Sequence, residues 1–267
     1  MTTDVAKTHL TIRISAGFNA EVMLAGLLAI TAQTAGTANA TLATLFPNVQ
    51  ATLDYGPASV NAIMGVRAKL ITAPLPSSAE LQASNATDHK EHHASHAHRS
   101  YRDILAYYDR EARLSEGALD RVERIWGVLA AAEAKVHGTK AEAVHFHEVG
   151  RLSNVLAIGL IARFIERLNV SLSASPVPVA DGAIRCAHGL VANPAPAMMA
   201  MLPGVPVVPF LGVGEPVTPT GMAILLGLGA TFGPWPRMRV TAEALAYART
   251  TFTGVPNGTR FVLGELS

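Results

Sequence analysis

Residues 74–100 constrain the fold of this chain more than any other part of it. The stretch opens on Pro74 and Pro76, runs through Ser77, Ser78, Ala83, Ser84 and Asn85, and holds His89, His92, His93, His96 and His98. It is too long and too polar for an ordinary connection inside a compact domain. It reads as a long His-rich mobile loop. It either links an N-terminal α/β portion, 1–73, to a main α/β portion, 101–267, or is an insertion into a single domain.

On either side the pattern alternates between strand and helix. Leu10–Ile14 and Ala68–Ile71 read as strands, and Ala20–Ala32 and Ala38–Phe46 as helices, with a turn expected at Gly56–Pro57. Apolar Ile104, Leu105 and Tyr108, then Leu119, Val122, Ile125, Trp126 and Leu129, predict two helices running up to a cap at Gly138. Val144–Val149 as strand, Val155–Leu168 as helix and Val170–Pro178 as strand complete a β–α–β unit. The Pro- and Gly-dense stretch 176–220 favours turns and strand edges around a site. The expectation is an α/β fold with a mixed or mostly parallel sheet and flanking helices.

The loop's chemistry is that of a transition metal. Five of the ten histidines fall in it, and imidazole suits nickel, copper, zinc and iron(II) far better than magnesium or calcium. If 88–96 coils, His89, His92, His93 and His96 share one helix face and His98 points away; if it is extended, the rings still gather around a metal at an entropic cost. The alternative is a solvated linker whose histidines do nothing. An expression tag is excluded, because the run is internal and interleaved with Lys90, Glu91, Ala94 and Ser95.

Bulk properties narrow the partners. A formal net charge of +1 with 15% charged residues offers no basic field for nucleic acid or an anionic membrane. The longest apolar runs, Val22–Ile30 and Met222–Leu228, fall well short of the roughly 20 residues of a membrane span. No charged-then-apolar signal pattern opens the chain, so a cytoplasmic protein is expected. The single cysteine, Cys186, rules out an internal disulfide and a thiolate zinc site, and is expected to be a small buried residue rather than a nucleophile.

Three further motifs carry chemistry. In His145-Phe146-His147-Glu148, strand alternation puts both imidazoles on one face, as a metal or substrate anchor or as half-buried packing. In Thr218-Pro219-Thr220-Gly221, a hydroxyl cap and helix amides make either an anion site or simple capping. His188, before Gly189, is a third ligand or an ordinary turn histidine.

Taken in order, these segments resemble one family, the N-terminal region of the LarC nickel-insertion proteins. The residues that carry the resemblance are His98–Ile104, Ala132–Gly138, Val144–Gly150, Ser175–Pro178, Ala187–Gly189, Asn193–Ala197, Val217–Gly221 and the ending Arg260–Glu265. The resemblance implies a metal chelatase role: insertion of nickel into pyridinium-3,5-bisthiocarboxylic acid mononucleotide, which yields the nickel-pincer cofactor of lactate racemase. It further implies CTP, with magnesium or manganese, used by a C-terminal region that lies outside these residues and is expected on a separate partner chain. On this reading His89, His92, His93, His96 and His98 gather nickel and pass it toward His145, His147 and His188. Thr218, Thr220 and Gly221 hold the mononucleotide phosphate.

Three departures qualify that reading. Where the family has Asp-Ser-Ile-Val-Asp, this chain reads Ser153-Asn154-Val155-Leu156-Ala157 and keeps neither acid. The family's Ser-Gly-Asp-Met becomes Asn19-Ala20-Glu21-Val22, which retains a carboxylate only through Glu21. A glycine-rich turn becomes Ala246-Tyr247-Ala248-Arg249-Thr250-Thr251, where alanine does not enter positive-φ conformations as glycine does. The competing reading is a non-catalytic nickel or transition-metal storage paralogue. A histidine–glutamate hydrolase lacks a nameable open-site triad.

Overall fold

The computed structural model describes residues 8–72, 99–146, 149–186 and 189–267. The first half of the chain gives β1 (Thr8–Ala16), α1 (Ala20–Ile30), α2 (Ala35–Leu45), β2 (Ala51–Val60), β3 (Ile63–Thr72), β4 (Arg99–Ser100), α3 (Tyr101–Glu111) and α4 (Glu116–His137). There follow β5 (His145–Phe146), α5 (Leu152–Leu168), β6 (Ser171–Ala174), β7 (Val177–Val179), β8 (Ala183–Cys186), β9 (Gly189–Ala192) and α6 (Pro196–Met201). The chain closes with β10 (Val207–Pro209), α7 (Pro219–Gly227), β11 (Thr231–Phe232), β12 (Met238–Ala246) and β13 (Gly258–Leu266). The expected α/β class holds.

Seven strands form one sheet in the order β11-β6-β1-β13-β12-β3-β2, drawing on both sides of the histidine segment. β13 and β2 run against the other five, so the sheet is mixed with most strands pointing one way. That shared direction matters, because it gathers the carboxyl ends of β1, β3 and β12 along one edge, where ligands of open α/β sheets bind.

α1 is apolar all round and buried on nearly every side, as its sequence AEVMLAGLLAI requires. It packs on β3, β12 and β13 from one side and meets α5 and α7 on the other. Gly26 permits the approach, since a Cβ there would lie 2.2 Å from the Phe261 ring. α4 forms an outer layer against α5, α6 and α7, burying Val122, Ile125, Trp126 and Leu129 at helical spacing and ending on Gly138 at φ +63.

Three features differ from expectation. The strand expected over Val170–Pro178 is broken at Ser175–Pro176 into β6, in the main sheet, and β7, which pairs with β10. Gly56–Pro57 lies inside β2 rather than in a turn; β2 is an edge strand, where proline's missing N–H breaks no ladder. The reversal falls instead at Asn61 and Ala62, both at positive φ, the geometry of a two-residue hairpin turn. Of the strand expected over Val144–Val149, the described part is His145–Phe146, and it does not begin at Val144 because Ser100, the partner of His145, at once caps α3. His147 and Glu148 lie outside the described residues.

His9 shows how a buried histidine serves structure. Its ring bridges β1 to β6, Nδ1 to Ser171 Oγ at 2.7 Å and Nε2 to Ser173 Oγ at 2.8 Å, and burial pushes its pKa below the ordinary value. The unfolded chain then takes up the proton at higher pH than the folded one, so stability falls as pH drops below about 6.5. Urea midpoints at pH 7.5 and 5.5 are expected to show this loss in the wild type and a smaller one in His9→Asn. Equal losses in both would contradict the assignment.

Candidate functional site

A cavity of about 640 Å³ opens at the carboxyl edge of the sheet. The N-termini of α1, α5 and α7 all reach its wall, through Asn19–Glu21, Arg151–Asn154 and Thr218–Thr220. Two of these starts are locked side by side. Phe18 N–H donates to Pro216 O and Thr218 N–H to Phe18 O, and a Cβ at Gly221 would lie 2.8 Å from Phe18 O. Positive helix ends brought together favour an anion between them.

The charged lining strengthens that preference. Lys69 comes from β3, Arg151 from the start of α5, Arg185 from β8 and Arg249 from the segment after β12. None of the four forms an ion pair with a described carboxylate. Arg151 sits at the N-cap of α5, where its charge adds to the helix's positive end instead of offsetting it.

Carboxylates also line the cavity: Glu21, Glu133 and Glu215. Glu133 faces His137 at 3.5 Å, one turn further along α4. Glu21 Oε1 accepts the Leu70 N–H at 3.1 Å. Burial raises the Glu21 pKa, opposed by that hydrogen bond and by the charges of Arg249 and Lys69.

The expected site residues fall into three groups. Thr218 and Thr220 line the cavity, and Thr218 Oγ1 caps α7 by accepting the Gly221 N–H at 3.1 Å. Pro219 has no N–H, so the Thr220 amide is the one left without a capping partner in that turn. Gly221 itself is buried behind the lining. His145 is exposed on β5, away from the cavity wall, beside Asp103, whose carboxylate the Ser100 hydroxyl and N–H hold below the usual range. His89, His92, His93, His96, His98, His147 and His188 lie outside the described residues. Cys186 is half-buried on the cavity wall rather than enclosed in the core, because β8 pairs only with β9 and leaves one face open. Among the described residues no group of three or more His, Cys, Asp or Glu could hold a metal ion.

The four cations escaped the sequence reading because each stands alone in its own segment and only the fold brings them together. They share no local signal: Arg151 precedes α5, Arg249 comes three residues after the end of β12, and Lys69 and Arg185 lie within β3 and β8. The departures noted above meet here. Ser153 lines the cavity where an acid was expected, Ala157 is buried in the core, and Glu21 and Arg249 both reach the cavity.

Comparison with known proteins gives a consistent result. The family profile described as nickel insertion protein matches residues 10–267. A putative nickel insertion protein of Geobacter metallireducens is 40% identical over 186 residues, covering 69% of this chain and 47% of the relative. The pyridinium-3,5-bisthiocarboxylic acid mononucleotide nickel insertion proteins of Geobacillus kaustophilus and Desulfitobacterium hafniense are each 39% identical, over 175 and 174 residues. These matches cover 65% and 64% of this chain and 42% of each relative. The chain thus spans about half the length of the curated relatives it matches, or somewhat less. No solved structure matches it. With a profile covering nearly its whole length, the chain belongs to the nickel insertion protein family.

Proposed function

We propose that this chain is the ligand-holding and nickel-collecting part of a nickel insertase. Its cavity takes pyridinium-3,5-bisthiocarboxylic acid mononucleotide, the compound named in two of its relatives. The observation that carries this reading is the cavity at the sheet's carboxyl edge, where three helix N-termini and four cations without an ion pair to a described carboxylate face one space. A phosphate and two thiocarboxylates are acceptors of the kind that guanidinium, ammonium and helix N–H groups bind.

Nickel is the cargo. The ends of the histidine segment leave and re-enter beside the cavity: Leu70 lines it two residues before Thr72, and Arg99 donates to Gly150 O at 3.0 Å, next to the lining residue Arg151. His89, His92, His93, His96 and His98 would therefore gather nickel close to where it is used, with His145, His147 and His188 as stations on the way. CTP with magnesium or manganese is assigned to the family's C-terminal region, which these residues do not span. The setting is the cytoplasm; no described helix is long and apolar enough to cross a membrane.

Calorimetric titration of the chain with the mononucleotide, without metal, tests the reading. One-to-one binding that inorganic phosphate competes away is expected. Absence of binding would remove the ligand-holding role.

A further inference from the structure

Glu21 is one of three carboxylates on a cavity wall that also carries Lys69, Arg151, Arg185 and Arg249. It stands in the first turn of α1, half-buried, with Oε1 fixed by the Leu70 N–H and Oε2 without a described partner. Arg249 and Lys69 act on it through space, yet neither closes to an ion pair. Burial of this carboxylate is costly, offset in part by the positive end of α1, and its charge also weakens the field that attracts an anion. A glutamine would keep the Leu70 bond without either penalty. The carboxylate makes sense if the ligand brings a positive charge of its own.

Resting on the reading of the cavity as a pyridinium mononucleotide site, we infer that Glu21 recognises the cationic ring, so that the cavity selects ligands joining a positively charged ring to anionic substituents. A metal ion is the other cation to weigh. No set of three metal-ligating side chains surrounds Glu21 among the described residues, so the donors there are fewer than a protein metal site of this kind ordinarily supplies. A delocalised ring cation needs only one carboxylate against its face. Lys69, Arg151, Arg185 and Arg249 remain for the phosphate and the acidic substituents.

Titration of the whole chain, without nickel, with nicotinic acid mononucleotide and with its 1,4-dihydro form tests this. The two probes differ in ring charge while sharing the phosphate and the carboxylate. The wild type is expected to prefer the pyridinium form by about tenfold, the order of one partly desolvated charge pair. Glu21→Gln should lose the preference for the pyridinium form and bind the dihydro form at least as tightly as the wild type does, with an unchanged melting temperature. Equal binding by the wild type, or a preference that survives in Glu21→Gln, overturns the inference. Nickel(II) binding in the absence of nucleotide that disappears in Glu21→Gln also overturns it, in favour of a metal ligand. Binding of neither probe nor of the bisthiocarboxylate compound overturns the cavity reading itself, and this inference with it.

Discussion

A chain carrying Arg151→Gln and Arg249→Gln together is expected to lose at least a hundredfold in affinity for the mononucleotide while melting close to the wild-type temperature. Charge-assisted hydrogen bonds to a ligand contribute about 1.5–3 kcal/mol each, and two of them therefore exceed a factor of 100. The folded chain gives up little in return, because neither guanidinium is ion-paired to a described carboxylate and Arg151 stands against the dipole of its own helix. Calorimetry and a thermal melt on the same preparation separate the two effects. A large drop in melting temperature with unchanged affinity would make these residues structural and would empty the cavity of its proposed role.

The largest stability effect is expected at Trp126. The side chain is fully buried in α4, its Nε1–H donates to Tyr108 Oη at 3.2 Å, and its ring lies 5.3 Å from that of Phe146. Tyr108 in turn donates to the Val155 carbonyl on α5, and burial pushes its pKa well above the ordinary phenol value. Trp126→Ala therefore removes the packing between α4 and β5 and leaves a buried hydroxyl short of a donor. A cost of about 3–5 kcal/mol is expected, or a fall in melting temperature of roughly 10 °C, read by calorimetric melting. Because Phe146 adjoins His145, the same change should loosen the point where the histidine segment re-enters the fold. A loss below about 1 kcal/mol would show that this junction is not part of the core.

The elements that sequence alone made legible share a property: each is determined by its own residues. The apolar run after Asn19 forms α1 as expected, Gly138 ends α4, and Thr218 caps α7. The misplaced features depend on neighbours. Whether Gly56–Pro57 turns or extends is decided by β2 being an edge strand, and where β5 begins is decided by how soon Ser100 starts a helix. The cavity is the extreme case. Lys69, Arg151, Arg185 and Arg249 are scattered singly along the chain, and nothing local distinguishes them from solvated surface charges. The Thr218–Gly221 motif was visible as a helix start, but its partner at Asn19–Glu21 becomes visible only through the bridge between Phe18 and Val217.

The central claim is that nickel and the mononucleotide meet at one site on this chain. Calorimetric titration with nickel(II) tests it directly, using a variant with His89, His92, His93, His96 and His98 all changed to Ala, in the absence and presence of the mononucleotide. The account predicts nickel binding that survives loss of these histidines and tightens by about tenfold or more when the mononucleotide is bound, a coupling of roughly 1.4 kcal/mol. Binding abolished with the five histidines and indifferent to the mononucleotide would contradict it, and would leave a protein that holds nickel without inserting it.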